Sequence, residues 1–217
     1  MQRTIIRPLP GAINPQETVT QNAADATIKG VELELTAVPA TGLQLKANFS
    51  YLDASYGAFC ADLNGASFFA SAPTSPCGGN VFNVTSPGST GPGNYLFDDD
   101  FSGTPLQRAP KFQMTLGANY EFSVGNMGSI LLAANYSYIS NLNVNVDGSA
   151  VGWRGKVNLV DASITFRDAS DTWTISVYGK NLTNDIFLNS YTAVASLFDT
   201  FYVGDPRRWG VEVGFQF

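Results

Sequence analysis

Few side chains in this sequence are equipped for covalent or metal chemistry. Histidine is absent from the 217 residues. That removes the commonest general base and metal ligand, so Ser-His-Asp triads and His-ligated zinc sites are excluded. Cys60 and Cys77 are the two cysteines, without CxxC spacing and without partners for a metal cluster. In an oxidising compartment they are a candidate disulfide closing one loop, worth about 3 kcal/mol for a loop of roughly 15 residues. In a reducing compartment they are two free thiols. Asp98, Asp99 and Asp100 offer hard oxygen ligands to a cation, against the plainer reading of a solvated acidic turn. Asn143-Val144-Asn145-Val146-Asp147-Gly148 faintly echoes a calcium loop, but Arg154 stands where such a loop needs its glutamate. Arg207 and Arg208 can meet phosphates or pair with Asp205. From this set neither an enzyme nor a cofactor is expected.

The elements that would position these groups are strands. The clearest is the last, Trp209-Gly210-Val211-Glu212-Val213-Gly214-Phe215-Gln216-Phe217, where apolar residues alternate with polar ones or glycine. A period of two marks a strand with one apolar and one polar face, and its length is close to the roughly 9–11 residues of a tilted membrane-crossing strand. The same alternation predicts strands over 31–37, 43–51, 112–122, 130–138, 160–167 and 172–180, with Leu131, Ala133 and Tyr178 breaking the pattern. Residues 1–7 read as the end of one more, giving about eight. No segment has a helical period.

The connections fall into two kinds. Residues 38–42, 123–128 and 168–171 are tight turns, whereas 8–24, 57–107, 141–156 and 182–206 are long, and the two kinds alternate. Short turns at one end and long loops at the other are the pattern of a transmembrane barrel. Aromatics gather near strand ends (Tyr51, Phe112, Tyr120, Phe122, Tyr138, Phe166, Trp173, Trp209, Phe217), as interfacial girdles require. The polar faces carry Glu32, Glu34, Lys46, Asn48, Glu121, Arg167, Lys180 and Glu212. Such groups suit a hydrated lumen and would be costly in a small dry core.

Composition agrees. The chain is 44% hydrophobic and 14% charged, and no apolar run reaches the roughly 18 residues of a membrane-spanning helix. A formal net charge of −6 argues against a nucleic-acid partner. The N-terminus, MQRTIIRPLPG, has neither the apolar core of about 7–15 residues nor the cleavage site of a signal peptide. Either the chain is a fragment of a longer one, or it is not a membrane barrel.

Four segments carry a family resemblance. Ala26-Thr27-Ile28-Lys29-Gly30-Val31-Glu32-Leu33-Glu34 resembles a late barrel strand of TonB-dependent receptors, and Ala109-Pro110-Lys111-Phe112 resembles the start of a later one. Gly179-Lys180-Asn181-Leu182-Thr183-Asn184 is similar to the family's penultimate-strand motif, and Pro206-Arg207-Arg208-Trp209-Gly210 running into Phe217 to its terminal strand. The match covers essentially the whole chain except 57–107. The resemblance implies residues 1–217 as the C-terminal part of an antiparallel transmembrane barrel of the 22-stranded type, without the plug domain or the energy-coupling box. It implies a bacterial outer-membrane receptor taking up a scarce ligand such as a ferric siderophore, cobalamin or an oligosaccharide. Its implied partners are the lipid bilayer, lipopolysaccharide, the rest of the receptor chain with its plug, the inner-membrane energy-coupling complex and the ligand. The barrel-assembly machinery joins them, recognising Trp209, Val211, Val213, Phe215 and Phe217. The loop at 57–107 would be either a lid over ligand or a variable surface loop.

The alternatives are a self-contained eight-stranded barrel with a structural or adhesion role, and a soluble sandwich or lipocalin-like binder. The first needs the last strand to pair with residues 1–7, just before Pro8 and Pro10. The second gives no reason for the alternation of loop lengths.

Overall fold

The computed structural model describes residues 2–8, 16–22, 24–63, 65–145, 150–194 and 198–216. Seven strands carry the architecture: β1 (Ala26–Ala40), β2 (Leu43–Tyr56), β3 (Phe112–Ser123), β4 (Gly128–Ile139), β5 (Val157–Asp168), β6 (Trp173–Lys180) and β7 (Arg208–Phe215). They form one antiparallel sheet in sequence order, with β1 and β7 at its edges. The all-β partial barrel expected from the sequence is therefore present. The continuous sheet holds seven strands rather than about eight, because Gln2–Pro8 pairs with Gln16–Asn22 in a separate hairpin.

Pairing register converts the alternation of each strand into two continuous faces. One row runs Leu35, Ala47, Leu116, Tyr136, Val160 and another, nearer the turn end, Leu43, Tyr120, Leu132, Ile164, Val177, Val211. Every residue of these two rows is apolar or aromatic, yet Ile164 is 56% and Val211 61% exposed. Aromatics mark its two ends: Phe112 packs on Tyr138 at the loop end, Tyr120 on Phe122 and Trp173 on Phe215 at the turn end. From Phe112 to Phe122, at about 3.3 Å per residue and a tilt of roughly 40°, the band is about 25 Å tall, the height of a bilayer's apolar layer.

The three tight connections have local causes. Gly42 sits at φ 80° and gives its carbonyl to the Glu121 N–H at 2.9 Å. A Cβ there would fall 2.0 Å from the Glu121 oxygen, so only glycine fits. Gly125–Met127 forms a single 3₁₀ turn between β3 and β4. Asp168 closes the β5–β6 turn by accepting the Trp173 N–H at 2.6 Å. The long connections all leave the opposite end and hold short hairpins of their own, Leu142–Asn143 with Trp153–Arg154 and Leu188–Val194 with Phe198–Val203.

The longest connection, between β2 and β3, is a folded module. Cys60–Ala61 pairs with Asp99–Asp100, and Gly93–Leu96 lies between Ser67–Phe69 and Phe82–Asn83. The buried core lies here: Ala54, Tyr56, Phe59, Ala61, Phe101 and Leu106 form one cluster.

Candidate functional site

The face opposite the apolar one is polar. Glu34 pairs across to Asn48 and Asn48 to Thr115, Glu32 lies opposite Ser50, and Lys46 lies between Thr36 and Gly117. Glu121, Arg167, Lys180 and Glu212 fall on the same side, opposite Leu131, Thr174, Arg208 and Ser176. Cross-strand pairing holds several of them. Arg167 bridges Glu121 and Asp171, each at 3.7 Å, and Ser129 donates to Glu121 at 2.9 Å. Lys180 meets Asp161 at 3.3 Å, and the Thr165 and Ser176 hydroxyls are 2.7 Å apart. A concavity of about 710 Å³ on this face is bordered by Lys46, Asn135, Asp161, Lys180, Arg208 and Glu212. Such a surface, with both signs of charge half exposed, can hold water, polar backbone or a polar solute.

Tyr178, which breaks the alternation, is on this polar side opposite Ser163 and Gly210. A Cβ on Gly210 would meet its hydroxyl oxygen at 2.7 Å, so the ring lies across a glycine gap.

The Gly179–Asn184 motif has a structural explanation. Asn181 is buried at φ 48°. Its N–H donates to Asp161, its amide NH₂ to the carbonyls of Asp185 and Asp205, and its amide oxygen accepts from the Asp185 N–H. Asp185 in turn accepts the Asn158 N–H at 2.7 Å. One asparagine thus ties the end of β6 to β5 and to the approach to β7. Asparagine is among the few residues that tolerate a left-handed backbone while satisfying several partners. Asp161 read only as a polar position of its alternating strand, and Asp185 belongs to no local pattern, so their convergence on Asn181 escaped sequence reasoning.

At the loop end, Cys60 and Cys77 form a disulfide across 17 residues. Around it the rings of Tyr56, Phe59 and Phe101 stack in series, and Phe69 packs edge-on against Tyr95 and Phe97. The three aspartates do not converge on a point. Asp98 offers its backbone carbonyl to the Ser75 hydroxyl, and Asp100 is held below the usual carboxylate range first by the Ser102 hydroxyl and then by the Ser102 N–H, which it accepts at 2.8 Å. Burial, then the neighbouring Asp98 charge, pushes Asp99 up. Among the described residues no cluster of three carboxylates forms; the one acidic group gathered with the cysteines, Asp100, faces sulfurs committed to their bridge. Residues 146–148 of the calcium-loop echo lie outside the described residues.

Arg208 pairs with Asp205 at 3.1 Å and borders the polar concavity. Trp209, Val211, Val213 and Phe215 share the apolar face of β7, opposite Gly179, Val177, Ile175 and Trp173. Phe217 lies outside the described residues.

Comparison with known proteins follows this geometry. The chain resembles the solved ferric yersiniabactin uptake receptor of Yersinia pestis, with a TM-score of 0.64 and 16% identity over 90% of this chain and 24% of that one. It also resembles the ferric preacinetobactin receptor of Acinetobacter baumannii, with a TM-score of 0.55 and 17% identity over 98% of this chain and 25% of that one. A siderophore receptor of Acinetobacter baumannii matches with a TM-score of 0.55 and 16% identity, over 89% and 22%. The chain thus spans about a quarter of the length of each. No curated protein matches the sequence. The family described as TonB dependent receptor-like, beta-barrel matches residues 4–182, and the chain belongs to that family of outer-membrane receptor barrels.

Proposed function

We propose that this chain is the C-terminal section of a longer outer-membrane receptor. In this reading it supplies about a third of the barrel wall and several outer loops for energy-dependent uptake of a ferric siderophore-class ligand. One observation carries the reading: an open seven-stranded sheet whose apolar face is exposed or half-exposed and about as tall as a bilayer's apolar layer. A 22-stranded barrel of this kind has a plugged lumen. The faces then divide the labour. The row from Val31 to Phe215 meets lipid. Glu32, Glu34, Lys46, Asn48, Glu121, Arg167, Lys180 and Glu212 line the hydrated interior beside a plug encoded elsewhere in the longer chain. The exposed edges of β1 and β7 pair with strands of that chain. Trp209, Val211, Val213, Phe215 and Phe217 present the barrel-assembly machinery with its terminal strand, and the coupling complex of the inner membrane acts through the plug.

The three structural neighbours named above support the siderophore class over cobalamin or oligosaccharide. The experiment is a gene deletion in the iron-restricted host, with accumulation of radiolabelled iron measured for a panel of ferric siderophores. Loss of at least one substrate, together with an outer-membrane band several times longer than 217 residues on a blot against residues 57–107, is expected. Unchanged accumulation across the panel overturns the iron assignment. A band of only this length would favour the self-contained small barrel.

A further inference from the structure

Among the described residues, two arginines at the loop end of the sheet have no acidic partner. Arg108 precedes β3 and Arg154 precedes β5, and the backbone brings them together. The Arg108 N–H donates to the Asn143 carbonyl at 2.8 Å, and in the short hairpin beside it Asn143 lies opposite Trp153 and Leu142 opposite Arg154. Five ion pairs form among the described residues, and neither arginine takes part in one, although the chain carries an excess of acidic groups. Lys156, exposed and two residues beyond Arg154, is likewise outside these pairs.

Arg154 is also incompletely satisfied. It is half-buried, and its Nε–H is buried with no acceptor. Its guanidinium lies over the Phe187 ring, 5.6 Å from the centroid. That ring is fixed in turn, since a Cβ on Gly204 would fall 2.3 Å from it. Burial, then the nearby Arg108 charge, holds the Arg154 pKa below its ordinary value. Two like charges without a counter-charge among the described residues are costly, and an oxyanion set between the two guanidiniums relieves that cost. The planar guanidinium fork matches carboxylate and phosphate geometry.

We propose that Arg108 and Arg154 form a receiving site for an oxyanion, a carboxylate or phosphate, held against the Phe187 ring at the loop end of the sheet. The site rests on the reading of this end as the extracellular mouth, and it makes the ligand met there anionic. The same chemistry is offered by a soluble anionic solute and by the phosphates of lipopolysaccharide.

The test uses the receptor purified from the host outer membrane in detergent. Phenylglyoxal labelling of Arg108 and Arg154 is followed by mass spectrometry with citrate, inorganic phosphate or lipopolysaccharide micelles, against sodium chloride at matched ionic strength. Protection by citrate or phosphate supports the site and assigns it to a soluble ligand; protection by lipopolysaccharide alone supports it and assigns it to the lipid headgroup. Arg154→Gln and Arg108→Asn should each weaken binding of the protecting anion about 10-fold or more, and Arg154→Lys less. Asparagine suits position 108 because the backbone there is left-handed, at φ 58°. Equal labelling under every anion, in protein whose Cys60–Cys77 bridge is intact, overturns the site. Siderophore uptake with unprotected arginines would leave the transport reading standing without it, and protected arginines without uptake would do the reverse.

Discussion

In the seven-stranded sheet, Trp209 is 78% exposed and Val31 70%; in the module between β2 and β3, Phe59, Ala61 and Tyr95 are 1% exposed. The two regions draw on similar residue types and treat them oppositely. The module folds Phe59, Tyr95 and Phe101 inward, closes with a disulfide and builds a core with the end of β2, as a segment standing in water must. The sheet cannot do this, because a single layer has nothing to bury its apolar face against, and at each edge it leaves a strand without a neighbour. In the proposed function, lipid on one face and further strands at the edges supply what the sheet lacks. On that reading the contrast teaches that the sheet's stability is conditional on a membrane while the module's is largely internal.

The strongest way to break that comparison is within the module. Phe59→Ala removes a buried ring stacked between Tyr56 and Phe101 and should cost about 3–5 kcal/mol. Limited proteolysis in detergent is expected to cut the module while the sheet resists; simultaneous loss of both would show that they are one cooperative unit. Cys60→Ser should cost about 3 kcal/mol in the chain-entropy picture, read as faster module cleavage that reductant also produces in the unsubstituted protein. The Asp100 carboxyl, held down by Ser102, sharpens the comparison through pH. Its contribution is present above the unfolded value and is lost as pH falls through the lower folded value, so Asp100→Asn should flatten the acid limb of module unfolding without changing the sheet. The smallest effect belongs to the polar face, where Lys180 and Asp161 form a half-exposed pair. Lys180→Met should change barrel stability by roughly 0.2–1 kcal/mol, measured by urea unfolding in detergent.

The sheet was legible because period-two alternation survives over the full length of strands such as β3 and β5, and the register then carries it from strand to strand. Leu131, Ala133 and Tyr178 looked like exceptions because the polar face tolerates small or gap-spanning apolar groups between charged ones. Residues 57–107 hid their structure for the opposite reason. Their strands are two to four residues long, too short for a period, and glycine, serine, proline and asparagine between them read as loop. Phe59 and Phe101 meet only in three dimensions, across 42 residues that carry no pattern linking them. The Asn181 hub and the Arg108–Arg154 pair were out of reach likewise, since Asp161, Asp205 and Asn143 come to them from other elements.

The central claim is that one face of the sheet meets lipid and the other meets water. Single nitroxide labels at Ser163, Ile164, Thr165 and Phe166 on β5 and at Ser176 and Val177 on β6, in protein reconstituted into bilayers, test it most directly. The account predicts collision with oxygen to dominate at Ile164, Phe166 and Val177, and collision with a water-soluble nickel chelate at Ser163, Thr165 and Ser176. A reversed alternation, or equal accessibility at all six positions, would contradict it.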